Sequence, residues 1–598
     1  MKNTPQTYLG LRTTSGYILS AVTVSLITSL SAHADVISWD GDTSVTWTDG
    51  DNWSGGVAPA DSLLTDIARF DVGSYGGSTY APNVGTTSVY GIQIGSANGN
   101  FTMDGATLSL GGGGIVQDSG ADFTYISVAT LDVGDRAQAW TNNAANNLTI
   151  NSQISGSADL TFDGAGSVTL ANSSSGTTYT GNVVVSQGRL DVTGGAFGAD
   201  NDVSLASGAV LGLGNPGVTL GGLNDYAGGG GTVGMIVNNN RPITLAGDSS
   251  YSFSGVIQDS IGSTTGKVAL VVGNGSTSMT QTLSGENTYS LGTSIKNGAV
   301  LNVHSSSALG AGDGTSTTGL TIDNGGTLRL HGGINIANER TTLSGDGLSG
   351  GGGDGAIVNV SGDNTFGGQL LFGNVVTGTR INSESGTLNL SNTGAVSVAN
   401  GRSLYLGGAG DGILAGSLDS GGSGRIYKDG AGTWTISGNN DALYGTFVNE
   451  GTLVVDGSVS ANISVASGAT LAGVGSAGTT LTFSDGSAFE YDFAKSGFLD
   501  AGTTATIGSG VNLNFVGVAT GLSINDTITI VAAGTSLSGV FANLADGATV
   551  TSGDYEFQAS YGSDNLELTV LSVIPEPTTF AMLLGLAVGM FAVTRRRS

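Results

Sequence analysis

KDGAGTWTISGNNDALYGTFVNEGTLVV, residues 428 to 455, carries the phrase on which the fold turns, because both of its halves return elsewhere in the chain. The first half, an apolar-Ser-Gly-x-Asn-x-aromatic phrase, reappears as LSGENTY at 283 to 289 and VSGDNTF at 360 to 366, with a degenerate copy, LANSSSGTTY, at 170 to 179. The second half, Gly followed by apolar residues two apart, begins at Gly105, Gly188, Gly208, Gly298, Gly326, Gly386, Gly451 and Gly468. Alternation with period 2 places Leu453 and Val455 on one face of a short strand, and Gly451 supplies a backbone able to turn with positive φ. A strand this short is not stable alone. Stacked on copies of itself at about 4.8 Å per rung, it merges its inward residues into one continuous core. The spacing between phrases is irregular, as it would be if loops of variable length joined the rungs.

The totals agree with an elongated β-fold. Glycine contributes 104 of 598 residues with no every-third spacing, and there are only 7 prolines, which excludes collagen. Charged residues make up only 11%, and no long amphipathic helical pattern runs between about 35 and 570. The net charge of −28 disfavours nucleic acid and anionic lipid as partners. With no cysteine, disulfides, thiolate metal sites and cysteine nucleophiles are all excluded.

The expected organisation has five parts. Residues 1–34 read as a signal peptide, with Lys2 and Arg12 as its basic region, Tyr17 to Leu30 apolar, and Ala32-His33-Ala34 as a small-x-small cleavage site. Residues 35–83 form an aromatic-rich N-terminal cap, in which Trp39, Trp47 and Trp53 plug the open end of the core; exposed, they would instead serve as sugar-stacking platforms. Residues 84–475 carry the solenoid, and 476–572, with longer strands and turn signals at Asp485-Gly486, Asp546-Gly547 and Ser563-Asp564, a closing β-domain. In 573–598, Pro575-Glu576-Pro577 precedes an uncharged run from Thr578 to Thr594 and the cluster Arg595, Arg596, Arg597. That run is at the lower limit for a transmembrane helix, and the arginines would hold its end in the cytoplasm. The fold expected is therefore all-β, an elongated parallel β-helix with a C-terminal β-rich cap and one short C-terminal transmembrane helix. Fifteen to twenty rungs would make a rod of roughly 70 to 100 Å.

Two resemblances sharpen this. The string from Gly430 to Val455 resembles the autotransporter-associated β-strand repeat, and LNVHSSSALGAG at 301 to 312 with TIDNGGTLRL at 321 to 330 is similar to the segment found after such repeats in that family. The resemblance implies a passenger-like β-helix outside the cytoplasm, and no reaction. No room is left after the repeats for the membrane β-barrel that ends an autotransporter. Pro575-Glu576-Pro577 with the span and the arginines is similar to the PEP-CTERM sorting signal. That resemblance implies an exosortase-like processing enzyme as partner and an inner-membrane intermediate before the cell surface or extracellular matrix.

Catalytic candidates are few. His304 and His331 lie in separate rungs and read as exposed strand ends, and no nucleophile elbow, zinc helix or phosphate loop is present. G-x-G-D-G occurs three times, placing Asp313, Asp354 and Asp411 on tight turns whose carboxylates suit calcium; they are spaced too widely for a tandem calcium roll and read as ordinary turns. No cofactor is expected beyond loosely held calcium. The function expected is a non-catalytic structural or adhesive surface protein, with extracellular polysaccharide or matrix components as partners. The alternative is a polysaccharide lyase or hydrolase, or a glycan-binding protein, on the same scaffold.

Overall fold

The computed structural model describes residues 34–574 apart from 72–81, 97–98, 173–177, 194, 313, 315–317, 349–353, 374–377, 398–400, 420–422 and 441–442. Ala32, Pro575, Glu576, Pro577, Asp313, Arg595, Arg596, Arg597 and the expected transmembrane run therefore lie outside the described residues. Among the described residues no helix is long and apolar enough to cross a membrane.

The chain forms an all-β parallel solenoid of about 18 turns. From Thr327 onward each coil contributes a strand to each of three faces. The first face stacks thirteen strands, from Ser250–Phe253 to Ser536–Ser538. The second stacks nine, from Asn335–Ile336 to Asn512–Val516, and the third begins with nine, from Val218–Leu220 to Leu418–Asp419. Upstream, strands such as Phe101–Gln117 are long enough to run through a corner and join two faces in one sheet. At about 4.8 Å per rung the rod is on the order of 85 Å long.

The two halves of the 428–455 stretch lie one above the other. Thr433–Ile436 pairs in parallel with Thr452–Val455, setting Trp434 on Leu453 and Ile436 on Val455, all four buried. Between faces the chain turns at a glycine: Gly451 has φ 62°. The same corners pack so tightly that successive glycines stack. A Cβ on Gly451 would meet the Gly430 carbonyl, and one on Gly430 the Gly408 carbonyl. The high glycine content thus follows from corners that have room only for backbone.

The asparagine of the repeat phrase joins rungs. Asn287 accepts the N–H of Ile257 (2.8 Å), Asn364 that of Ile334 (2.7 Å) and Asn440 that of Leu418 (2.8 Å), each a residue of the preceding coil. Their amide N–H groups donate to Ala308, Ser361 and Gly438 carbonyls. Buried backbone N–H groups that point at the following coil are satisfied in this way. Two residues on, Tyr289 and Phe366 fill the core. In the third copy that position is Ala442, and Tyr444, displaced by two, is 59% exposed.

The expectation of a separate closing β-domain from 476 is corrected. Parallel rungs continue through Thr480–Phe483, Ala488–Asp492, Thr504–Ile507 and Ser536–Ser538. Asp485-Gly486 is a corner between two faces, not a hairpin, because Thr480–Phe483 and Ala488–Asp492 each pair with the coils above and below. Only the end is antiparallel. Thr527–Ala533 pairs with Asn565–Val573, which pairs with Tyr555–Tyr561, which pairs with Thr549–Ser552.

Candidate functional site

At the N-terminal end Ala34 leads into the first strand, Asp35–Ser38. Trp39, Trp47 and Trp53 are buried to 2% exposure or less. Trp53 stands edge-on to both other indoles at 5.0 and 4.9 Å and lies against Phe70, and its indole N–H donates to the Trp47 carbonyl. Rings held in this way offer no face to a sugar.

Asp354 and Asp411 sit on different coils. The Asp354 carboxylate receives Arg329 at 2.8 Å, and that of Asp411 accepts the Thr433 N–H at 2.8 Å, which sets the next strand of the second face. Among the described residues no three His, Cys, Asp or Glu side chains are grouped so as to hold a metal ion.

What the coils do bring together is an outward strip on the first face. Arg380, Tyr405, Tyr427 and Phe447 occupy successive rungs in register. The guanidinium lies 5.0 Å over the Tyr405 ring, and the three rings stack at 4.8 and 5.1 Å, nearly parallel. Arg380 also pairs with Asp429 at 3.1 Å, and Asp429 accepts the Asn449 amide. Burial raises the Tyr405 pKa, with the neighbouring Tyr427 adding to the rise. Because the ring faces cover one another, the strip presents edges and polar groups outward. Beside it Arg425 lies 4.6 Å over the exposed Tyr444 ring.

Further along the same face His304 and His331, expected as exposed strand ends in separate rungs, stack at 4.4 Å with their planes 7° apart. The cause is register, since Val303 pairs with Leu330. Parallel imidazoles point their lone pairs side by side rather than at a common point, so the pair does not chelate a metal in this arrangement. Burial, and after it the His304 and Arg329 charges, lower the His331 pKa.

One buried charge was not singled out from the sequence. Lys428, fully buried, donates its three N–H groups to the carbonyls of Asp429 (3.0 Å), Gly430 (2.6 Å) and Glu450 (3.0 Å), tying two coils at one corner. Burial pushes its pKa down to about 8 against the opposing pull of Asp429 and Glu450. A lysine just before an Asp-Gly corner was the only signal of this in the sequence.

Carboxylates also gather on the side of the rod. Asp200, Asp202 and Asp248 line a cavity of about 240 Å³ with Tyr251 and Asn274. Burial raises the Asp202 pKa; the Tyr251 hydrogen bond lowers it and the Asp248 charge adds to the rise. No Arg, Lys or His lines this cavity, so the lining side chains offer no cation to a developing negative charge.

The chain is 26% identical, over 556 residues, to the adhesin BmaC autotransporter of Brucella suis biovar 1 (strain 1330). The match takes in 76% of this chain and 15% of that protein, so the chain spans about a seventh of the length of its relative. No protein-family model and no solved structure matches the chain.

Proposed function

We propose that the chain is an exported surface protein whose function is adhesive or structural and resides in the outer surface of the rod. The observation that carries this is the unbroken run of parallel coils, together with the likeness to an autotransporter adhesin over most of the chain. Such a rod displays many contact groups along its length without a catalytic centre. Export begins with cleavage after Ala34. The uncharged run Thr578 to Thr594 holds the C-terminus in the inner membrane until an exosortase-like enzyme acts at Pro575-Glu576-Pro577. Extracellular polysaccharide and matrix components are the partners proposed, with calcium held loosely by turn carboxylates such as Asp354 and Asp411. The antiparallel strands from Thr549 to Val573 close the C-terminal edge, which would otherwise invite end-to-end pairing.

The sorting step has a direct test. Intact mass of the wild-type protein from cell surface and medium is expected to end near Pro577, while Glu576→Ala keeps the segment to Ser598 and stays in the inner membrane. Retention of that segment by both proteins contradicts the sorting step.

The cavity at Asp200, Asp202 and Asp248 favours a second reading, a glycan-acting enzyme. In that case Asp202→Asn abolishes release of sugar fragments and leaves adhesion unchanged.

A further inference from the structure

Half of the large apolar side chains exposed among the described residues fall between Phe498 and Ile574, whereas the described residues of the solenoid from 84 to 475 expose only Phe123, Tyr226, Leu348 and Tyr444. They gather at one end. Val518, 56% exposed, lies against Gly553, and the next residue, Asp554, receives the N–H of Ile574. Asn525, beside the 57% exposed Ile524, donates to Val570 within the strand that carries Val573. Alongside opens a cavity of about 440 Å³ whose apolar lining includes Phe493, Phe498, Leu522 and Ile528. Leu522 joins the two areas, since its N–H donates to the Tyr555 hydroxyl.

We infer that this end of the rod is a lipid-facing surface that rests on the bilayer while the chain is still tethered. The chain leaves the apolar area at Ile574, four residues before the uncharged run Thr578 to Thr594, so a membrane span there sets this surface against the headgroups. Apolar side chains around an anchor point bury in the acyl boundary of a bilayer. Beside the exposed apolar residues stand Asp526, Asp554 and Glu556, and Lys495 at the cavity is paired with Asp456 at 2.7 Å, so the surface repels anionic headgroups and faces the ammonium groups of a zwitterionic phosphatidylethanolamine surface favourably. A second copy docked on the same surface would bring two acidic rims together. The inference rests on the reading of 578–594 as a membrane span.

The absence of cysteine makes the test clean. In the full chain, Ile524→Cys and, as a control on the solenoid wall, Ser437→Cys are each labelled with a polarity-sensitive fluorophore and mixed with phosphatidylethanolamine–phosphatidylcholine vesicles. Expected is flotation of both proteins with the vesicles and a blue shift of emission for the label at 524 alone. Flotation without a shift at 524 overturns the lipid-facing surface and leaves the span standing. Failure to float overturns the span, and the surface with it. A label at 524 already shifted without vesicles shows that a second copy or the tail covers this end, and also overturns the inference.

Discussion

Gly408→Ala is expected to destabilise the coils on either side of it by more than about 4 kcal/mol, the range reached when steric overlap cannot relax. Gly408 has φ 97°, and an added Cβ would stand well under 3.0 Å from the Ser383 carbonyl oxygen. That oxygen belongs to the coil below, so relief means separating two rungs whose ladder spacing is fixed. Gly401→Ala serves as control: its φ is 79°, but an added Cβ meets nothing within 4 Å. Only the left-handed backbone term applies there, roughly 1 to 2 kcal/mol. Hydrogen exchange of the strands Ser403–Gly407 and Gly424–Lys428 is the appropriate measurement, because stacked coils open locally as well as globally. Equal loss of protection in the two variants contradicts the tight corner.

Lys428→Met is expected to cost roughly 3 to 5 kcal/mol, since a buried charged donor is removed from three part-buried carbonyls at once. It also changes the pH dependence. The folded chain holds this lysine's proton up to about pH 8, and the unfolded chain holds it to about 10.5. Between those limits the unfolded state binds more protons, so this group makes wild-type stability rise with pH across the window. Below pH 8 both states are charged and its contribution is flat. Urea unfolding at pH 7 and pH 10 should therefore show the gap between wild type and Lys428→Met widening at the higher pH. An unchanged gap places the lysine in a more hydrated corner, and a gap that narrows means that the carbonyls and the Asp429 and Glu450 charges outweigh burial.

The strand phrases were legible because period-2 alternation needs only neighbouring residues: Leu453 and Val455 point inward as their spacing requires, and Gly451 turns the chain with positive φ. The asparagines of LSGENTY and VSGDNTF were visible as a motif, while their task of taking an N–H from the coil below was not, since it depends on a partner some thirty residues back. Register hid the rest. Tyr405, Tyr427 and Phe447 stand in one column only because intervening loops bring unequal chain lengths back to the same rung position. His304 and His331 stack for the same reason. Residues after 476 misled because a face-to-face corner at Asp485-Gly486 and a hairpin use the same turn residues; which of them forms is decided by the coils above and below.

Attachment is where the proposed role can be tested most directly. Cells that make the chain would be compared with a deletion strain for adherence to one another and to a polysaccharide-coated surface, with and without added purified full chain. The expected result is a several-fold loss of adherence on deletion, restored by wild-type chain and by Asp202→Asn alike. Unchanged adherence on deletion, with sugar fragments released by the wild-type chain and not by Asp202→Asn, contradicts an adhesive rod and makes the aspartate cavity the working site.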